Sequence, residues 1–587
     1  MSIVAVDFET FYSSDVTITE LGIYHYLRHP QSDIYLVSIA TDTGIRFAGH
    51  PKDFDWSQIA GANWTWLSHN AQFDLPVFER LQEIGVGNTQ EVTTIAAWHD
   101  TADLAAFLSV PRSLREASRH LLEREMSKET RDSMKGKRWE AMTPDFKQEV
   151  LNYAQKDADN CLDLWLLHGD KWPETEREIS QMTRQMALRG VPLDLNGLDQ
   201  DIQKLQTTLW EIEQIIPWKE THSILSSTAQ KAECAKCGLT APSSFAKDDP
   251  EAEKFFEDHA KDFPWIQGVR DYRKAGKHLS TLQTMRNRMR EDGWMTYGLK
   301  YGGAHTLRDS GESGINLQNL PKGIVSGVDV RSKIMAPEGF TFAIVDLSQI
   351  EPRCLHWLAE DEQTLQYIRE IPDLYEAQAR AWGIWNGEGS MKKAAPDVRH
   401  MMKQLALGLG YGMGAKKFGD VADVSGEEAL RLTTLYRKKN PKVTALWKKL
   451  ESGMLKTANH PTDKLFRMEL PSGRSINYRN VSVTNGGLSA EIPRAGKLMR
   501  LGFWGGVLTE NLVQATARDV FMHQCLQIEN SGIPVLMRVH DEAVCLVQEQ
   551  SAQEQLNQII STMSTAPEWA PGLPLSAEGG LSKTYKK

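Results

Sequence analysis

The segment IVAVDFET near the start of the chain sets Asp7 and Glu9 two residues apart on an apolar run. Period-2 strand geometry points both carboxylates at one face, where they repel each other unless a cation sits between them. Further on, HNAQFDLPVF spaces Asn70 and Asp74 by four, and NYAQKDAD spaces Tyr153 and Asp157 by four, each pair on one helical face. Taken singly these are ordinary: Asp-x-Glu at a strand end is commonly a surface pair, and Asn-x-x-x-Asp is commonly helix-cap chemistry. Together, four carboxylates and a tyrosine from three segments can converge, and an all-oxygen set of that kind suits Mg²⁺ or Mn²⁺.

A second set lies in the C-terminal half. VDLSQIEPR presents Asp346 at a strand end with Glu351 five residues later, and RVHDEAV presents His540, Asp541 and Glu542 between two apolar runs. Between them, Arg399, Lys403, Leu407 and Tyr411 in RHMMKQLALGLGYG are spaced by four and form one slowly drifting helical stripe. Arg and Lys one turn apart can grip a triphosphate; the plainer alternative is a solvent-facing basic edge. Gly408, Gly410 and Gly412 weigh against the plain reading, because each helix glycine costs about 1 kcal/mol and usually marks close approach of a backbone or ligand.

Positioning these groups requires strands, helices and a return strand. IVAVDFET and YLVSIATD read as strands of a buried sheet. TEREISQMTRQMALRGVPLD reads as a long amphipathic helix ending near Gly190. Residues 195–300 are mostly helical, interrupted by Cys234-x-x-Cys237 and the KDDPEAEK loop. FTFAIVDLSQIE is a strand, 360–450 is helix-rich, and strands return in MELPSGRSINYR and PVLMRVHDEAVCLV. That layout brings Asp346 and Asp541 together across one antiparallel sheet.

A chain of 587 residues exceeds one hydrophobic core, so two units are expected. No segment reaches the ~18 uninterrupted apolar residues of a membrane span, and MSIVAVDFET lacks the marks of a signal peptide, which predicts a cytoplasmic protein. The six cysteines are scattered, and the single Cys-x-x-Cys reads as a turn or hairpin ahead of a zinc site. A net charge of -10 does not advertise a nucleic-acid binder. Residues 270–333, with twelve Lys and Arg against six Asp and Glu, form a local basic stretch able to track a phosphate backbone.

The trio Asp-x-Glu, Asn-x-x-x-Asp and Tyr-x-x-x-Asp resembles the motifs of the DnaQ-like 3′-to-5′ proofreading exonucleases, which have an RNase H-like fold. DLSQIE, the Arg-x-x-x-Lys helix ending in Tyr-Gly, and VHDE resemble motifs A, B and C of family A DNA polymerases, in that order. The resemblance implies an α/β multidomain protein. Its parts would be an exonuclease unit over 1–178 and a right-hand polymerase unit over 179–587, with a thumb at about 179–295, a palm at about 296–358 and 475–587, and fingers at about 359–474.

By resemblance, Asp7, Glu9, Asp74 and Asp157 hold two Mg²⁺, with Mn²⁺ as a substitute, and Tyr153 orients the attacking water. Asp346 and Asp541 hold a second metal pair with Glu542 assisting. Arg399, Lys403, Leu407 and Tyr411 form the nucleotide helix, Tyr375 reaches a phosphate, and Glu351 closes off the sugar 2′-position. Arg273 and Lys277 in YRKAGK, Arg308, Asn316, Gln318 and Asn319 in TLRDSGESGINLQNLP, Gln514 and His540 are the implied DNA contacts. Leu407 departs from the family's usual aromatic residue and keeps an apolar surface without stacking. Tyr375 departs from the histidine frequent in cellular members and is closer to phage-type ones.

The implied function is DNA-dependent extension of a primer with proofreading, in viral or prophage replication. Implied partners are primer-template DNA and dNTPs, then a replisome helicase or processivity factor, for a monomer without membrane attachment. The alternatives are a 3′-to-5′ exonuclease on a polymerase-derived DNA-binding scaffold, a single-subunit RNA polymerase, which Glu351 disfavours, and a non-enzymatic processivity or single-strand-binding module. The last has no use for six placed carboxylates whose repulsion costs stability without metal.

Overall fold

In the strand Ser2–Thr10, Val4, Val6 and Phe8 enter one hydrophobic cluster with Val37, Trp56 and Trp66, while Ala5 enters another with Leu67, Leu104 and Ala158. A strand buried on both faces belongs in the middle of a sheet, and here it is central in a five-stranded one. The strands Ser2–Thr10, Ile34–Thr41, Arg46–Gly49, Trp64–Ser68 and Ala97–Asp100 are ordered 3-2-1-4-5 by chain number. The second runs antiparallel to the first, and the fourth and fifth run parallel. Asp7 and Glu9 share the Ala5 face, on which the helix Pro144–His168 packs. The computed structural model describes residues 1–127, 129–246, 249–484 and 486–586.

The helix Glu174–Arg189 ends, as its sequence suggests, where Gly190 takes φ +82°. A Cβ at that glycine would stand 2.2 Å from Met295 O. The expected boundary between residues 178 and 179 falls inside this helix. It packs on both units: Ser180 Oγ donates to Asp103 Oδ2 at 2.5 Å, and Glu176 accepts from Arg518 NH1 at 2.5 Å. A single apolar cluster runs from Ala5 and Leu104 through Met186 to Leu512 and Phe521.

Helices Leu195–Gln214 and Pro264–Arg288 pack side by side, with a satellite core around Trp218, Phe255 and Trp265. Cys234 and Cys237 sit at the end of the helix Ser227–Lys236, so the expected turn or hairpin is a helix terminus; both thiols are free. Residues 247–248 of the KDDPEAEK loop lie outside the described residues, and Pro250 opens a helix, its fixed φ suiting a first turn.

The strands Val535–Val539, Glu542–Gln548, Phe340–Leu347 and Ala577–Ser582 form an antiparallel sheet in that order. The strands in MELPSGRSINYR join a different sheet, Phe466–Glu469, Ser475–Thr484, Gly487–Arg494 and Lys497–Phe503. That sheet docks on the N-terminal unit: Arg479 NH2 donates to Leu108 O at 3.1 Å and Asn477 N–H to Ser109 Oγ at 3.3 Å. The helix Gly505–Asn530 is buried along most of its length. Among the described residues, no helix is long and apolar enough to cross a membrane.

Candidate active sites

Asp7, Glu9, Asp74, Tyr153 and Asp157 line one cavity of about 990 Å³. Asp74, 2% exposed on the helix Ala71–Glu83, accepts the Phe8 N–H at 3.2 Å, which ties it to the strand carrying Asp7 and Glu9. Asp157 and Tyr153 lie one turn apart on the helix Pro144–His168. Asn70 also lines the cavity but precedes its helix, with φ 140°, so it does not share a helical face with Asp74. For a non-glycine residue that φ is strained, and such strain tends to collect at functional sites.

Burial, then the facing charges of Glu9, Asp74 and Asp157, pushes the Asp7 carboxyl well above the usual range. Glu9 is pushed to about 8 by burial and then by Asp157. Asp157 is pushed to about 6 by burial, offset by Tyr153 and Arg131, and burial also raises Asp74. Arg131, on the helix Glu129–Met134, is a cavity residue that motif spacing does not single out; its guanidinium opposes the shifts of Asp7, Glu9 and Asp157.

Asp7 Oδ2 and Asp157 Oδ1 are buried with no hydrogen-bond partner among the described residues. Orphaned carboxylate oxygens among mutually repelling acids fit hard divalent cations. Among the described residues, no three His, Cys, Asp or Glu side chains already converge on one ion position.

In the C-terminal sheet, register places Asp346 opposite Glu542 on one side and Glu578 on the other. Asp541 sits in the turn just before Glu542, and its carbonyl accepts the Leu347 N–H at 3.1 Å, so both aspartates stand at one end of the sheet. His540 makes that turn with φ 59°. Buried Glu542 accepts from the Tyr585 hydroxyl at 2.9 Å, a partner absent from the sequence reading.

Arg308, expected on DNA, lies among the acids: its NH2 donates to Glu351 Oε1 at 2.6 Å and stands 3.9 Å from Asp541 Oδ1. Tyr411 Oη donates to the other Glu351 oxygen at 3.4 Å. The helix Pro396–Leu409 carries Arg399, Lys403 and Leu407, and Tyr411 lies beyond its cap at Gly410, so the expected four-residue stripe ends one turn early. Gly412 takes φ +76° there and a Cβ on it would stand 2.7 Å from the Trp504 ring, while a Cβ on Gly410 would stand 2.8 Å from Leu355 Cδ2, so backbone conformation and close packing account for these two glycines. Lys403 is exposed, and Arg399 pairs with Asp373 beside buried Tyr375.

The other expected contacts are spread over the C-terminal unit. Arg273 and Lys277 are exposed one turn apart on the helix Pro264–Arg288. Asn316 caps the short turn that holds Gln318 and Asn319. Gln514 Nε2 donates to Glu510 Oε1 at 3.2 Å. Burial, then Glu351, raises the Glu510 carboxyl, a neighbour the motifs do not mark.

The model of DNA polymerase family A matches residues 196–587. A DNA polymerase of Bacillus phage SP02 is 29% identical over 343 residues, 49% of this chain and 52% of that one. DNA polymerase I of Helicobacter pylori is 25% identical over 426 residues, 70% of this chain and 44% of that one. The chain thus spans about half the length of the curated relatives it matches. The solved POL domain of Pol1 from M. smegmatis, in complex with DNA primer-template and dNTP, has the same fold. It aligns with a TM-score of 0.68 at 17% identity, over 99% of this chain and 95% of that chain.

Proposed function

The chain belongs to DNA polymerase family A, and from that premise we propose that it extends a primer 3′-hydroxyl with dNTPs on a DNA template and trims the same end 3′-to-5′ at a second site. The observation that carries the extension reading is the register of Asp346 against Glu542 with Asp541 in the adjoining turn. Two carboxylates at one sheet end are what nucleotidyl transfer needs to hold its ions. The trimming reading rests on four acids from three segments around one cavity. The order 3-2-1-4-5, with the second strand antiparallel, supports an RNase H-like fold there.

In this reading Asp346 and Asp541 hold one Mg²⁺ pair, and Asp7, Glu9, Asp74 and Asp157 hold the other, with Mn²⁺ as a substitute. The ions supply Lewis acidity for the attacking and leaving oxygens. The protein's own groups do the rest. Arg399 and Lys403 bind the triphosphate, with Tyr375 beside it. Glu351, held by Arg308 and Tyr411, occupies the space a ribose 2′-hydroxyl would enter. Leu407 lies against the incoming sugar and base, and Glu542, braced by Tyr585, supports the Asp541 turn. Tyr153 orients the water that attacks in trimming.

Arg273, Lys277, Asn316, Gln318, Asn319, Gln514 and His540 line the duplex path, where shape rather than base identity is read. The thumb, palm and fingers then take the bounds expected from sequence, the exonuclease ends near residue 178, and the protein works as a monomer in phage or prophage replication in the host cytoplasm. A helicase or processivity factor would be its replisome partner.

Extension of a labelled primer with Mg²⁺ and dNTPs tests this directly, comparing wild type with Asp541→Ala and Asp7→Ala. The expected result is loss of extension only in Asp541→Ala and loss of shortening only in Asp7→Ala. A wild type that only shortens primers at saturating dNTPs would replace this reading with an exonuclease on a DNA-binding scaffold.

A further inference from the structure

The helix Gly505–Asn530 is buried at every position from Gly505 to Met522 except Val507, Glu510, Asn511 and Gln514. Asn511 turns to the sheet that contains Tyr478, its Nδ2 donating to Tyr478 Oη at 2.9 Å. Glu510 and Gln514, one turn apart, are left as the polar edge of this stretch. Its surroundings are those of the C-terminal acids: burial, then the Glu351 charge, raises the Glu510 carboxyl, while Arg308 and Lys417 oppose the rise. One turn earlier, a Cβ on Gly506 would stand 2.1 Å from Tyr411 O, so the start of the helix abuts the turn that carries Tyr411.

A carboxylate set against the charge of Glu351 costs stability, and a local rule broken in this way marks a functional position. Its hydrogen bonding narrows the function. An ionised carboxylate only accepts, so the 3.2 Å contact with Gln514 is Nε2 of the amide donating to Glu510 Oε1. That contact fixes which way the amide faces. Gln514 Oε1 and Glu510 Oε2 accept no hydrogen bond among the described residues, and both are acceptors.

Base pairs differ in how they meet such an edge. In the minor groove every pair presents the acceptors purine N3 and pyrimidine O2, and only guanine adds a donor, its 2-amino group. An edge made of acceptors repels the first kind of group and binds the second.

We propose that Glu510, which also orients Gln514, accepts a hydrogen bond from the 2-amino group of guanine in the base pair at the growing primer end. At this one position the enzyme then senses base identity as well as shape. The proposal rests on the extension activity given above, and it makes Glu510 a specificity-determining residue of that reaction.

The test is addition of the next nucleotide to a primer whose terminal dC faces either guanine or hypoxanthine in the template, since hypoxanthine lacks the 2-amino group. Hypoxanthine also pairs more weakly with cytosine. The quantity read is therefore the ratio of kcat/KM on the two templates, compared between wild type and Glu510→Ala, a comparison in which pairing strength cancels. The ratio should fall about tenfold in the variant, the loss of one hydrogen bond to a charged group. An unchanged ratio, including an equal loss of rate on both templates, would overturn the assignment and leave Glu510 with a structural role. Should Glu510→Ala extend neither primer, Glu510→Gln, of the same shape and uncharged, decides by the same ratio. A wild type that extends no primer at all would sink the extension reading itself, and this assignment with it.

Discussion

Arg399 Nε donates to Asp373 Oδ2 at 2.6 Å, and the same guanidinium lies 5.2 Å from the centre of the Tyr375 ring. The Asp373 carboxylate also receives Gln349 Nε2 at 3.0 Å and the Tyr375 N–H at 3.0 Å, capping the helix Leu374–Ala381. One acid thus orients the arginine expected on the triphosphate.

Replacing that acid separates its two roles. Asp373→Asn keeps a capping oxygen and removes the charge, so the KM for dNTPs should rise about tenfold with a smaller change in kcat, the pattern of lost ground-state binding. Asp373→Ala should add a stability loss of about 1 kcal/mol from the missing cap. Steady-state kinetics beside urea melts read both; an unaltered KM in Asp373→Asn would leave Asp373 as a cap only.

Glu351 accepts from both Arg308 and Tyr411, so it is held rigidly. Glu351→Ala should raise ribonucleotide incorporation relative to deoxynucleotide by about a hundredfold, the scale of discrimination against an added hydroxyl by shape alone. Competition between dATP and ATP in single-nucleotide incorporation measures it. Equal selectivity in wild type and variant would remove Glu351 from the sugar.

The buried chain of Tyr301, Glu176, Arg518, Asp519 and Arg474 joins the interdomain helix to the helix Gly505–Asn530. Glu176→Ala leaves Arg518 with less compensation in the interior, at a cost of about 3–5 kcal/mol. Urea midpoints should fall for both units together, because the Glu174–Arg189 helix packs on both. Two separate transitions with only one shifted would contradict a shared core.

Burial holds His69 and His99 down at about 4, against the usual 6.5. Unfolded histidine takes its proton near 6.5 and the folded ones only near 4, so between those values the unfolded state binds more protons and stability rises with pH. This contribution is complete above pH 6.5 and is lost as pH falls toward 4. His99 stacks on Trp165 at 4.7 Å, so His99→Phe can keep the stack. The drop in Tm between pH 7 and pH 5 should be smaller in that variant; an equal drop would assign the acid sensitivity elsewhere.

Much of this architecture is legible in residue order because its signals are local. Asp7 and Glu9 follow from strand alternation, the Arg189 helix end from Gly190, and the Asp346–Asp541 encounter from a strand and its antiparallel return. What escapes detection depends on distant packing. Arg131 acts only because its helix folds over the acids, and Tyr585 meets Glu542 only through the C-terminal sheet. Asn70 keeps the expected spacing yet lies outside its helix, because spacing cannot say where a helix begins. The strands near Ile476 are visible as strands, but they pair with their own chain neighbours and not with the Asp346 strand, and the contact of that sheet with Ser109 joins segments far apart in the chain.

The strand that carries Asp346 is paired on both edges by segments from much later in the chain, Glu542–Gln548 and Ala577–Ser582. The four N-terminal acids are all translated by residue 157. At a typical synthesis rate of about 5–20 residues per second, the ribosome needs on the order of half a minute more to deliver the strands that complete the second site. The four acids of the N-terminal cavity are therefore all present in the nascent chain well before the strands that bring Asp346 and Asp541 together, while a second wall of the cavity, from residues 302–310 and 493–496, is delivered in between.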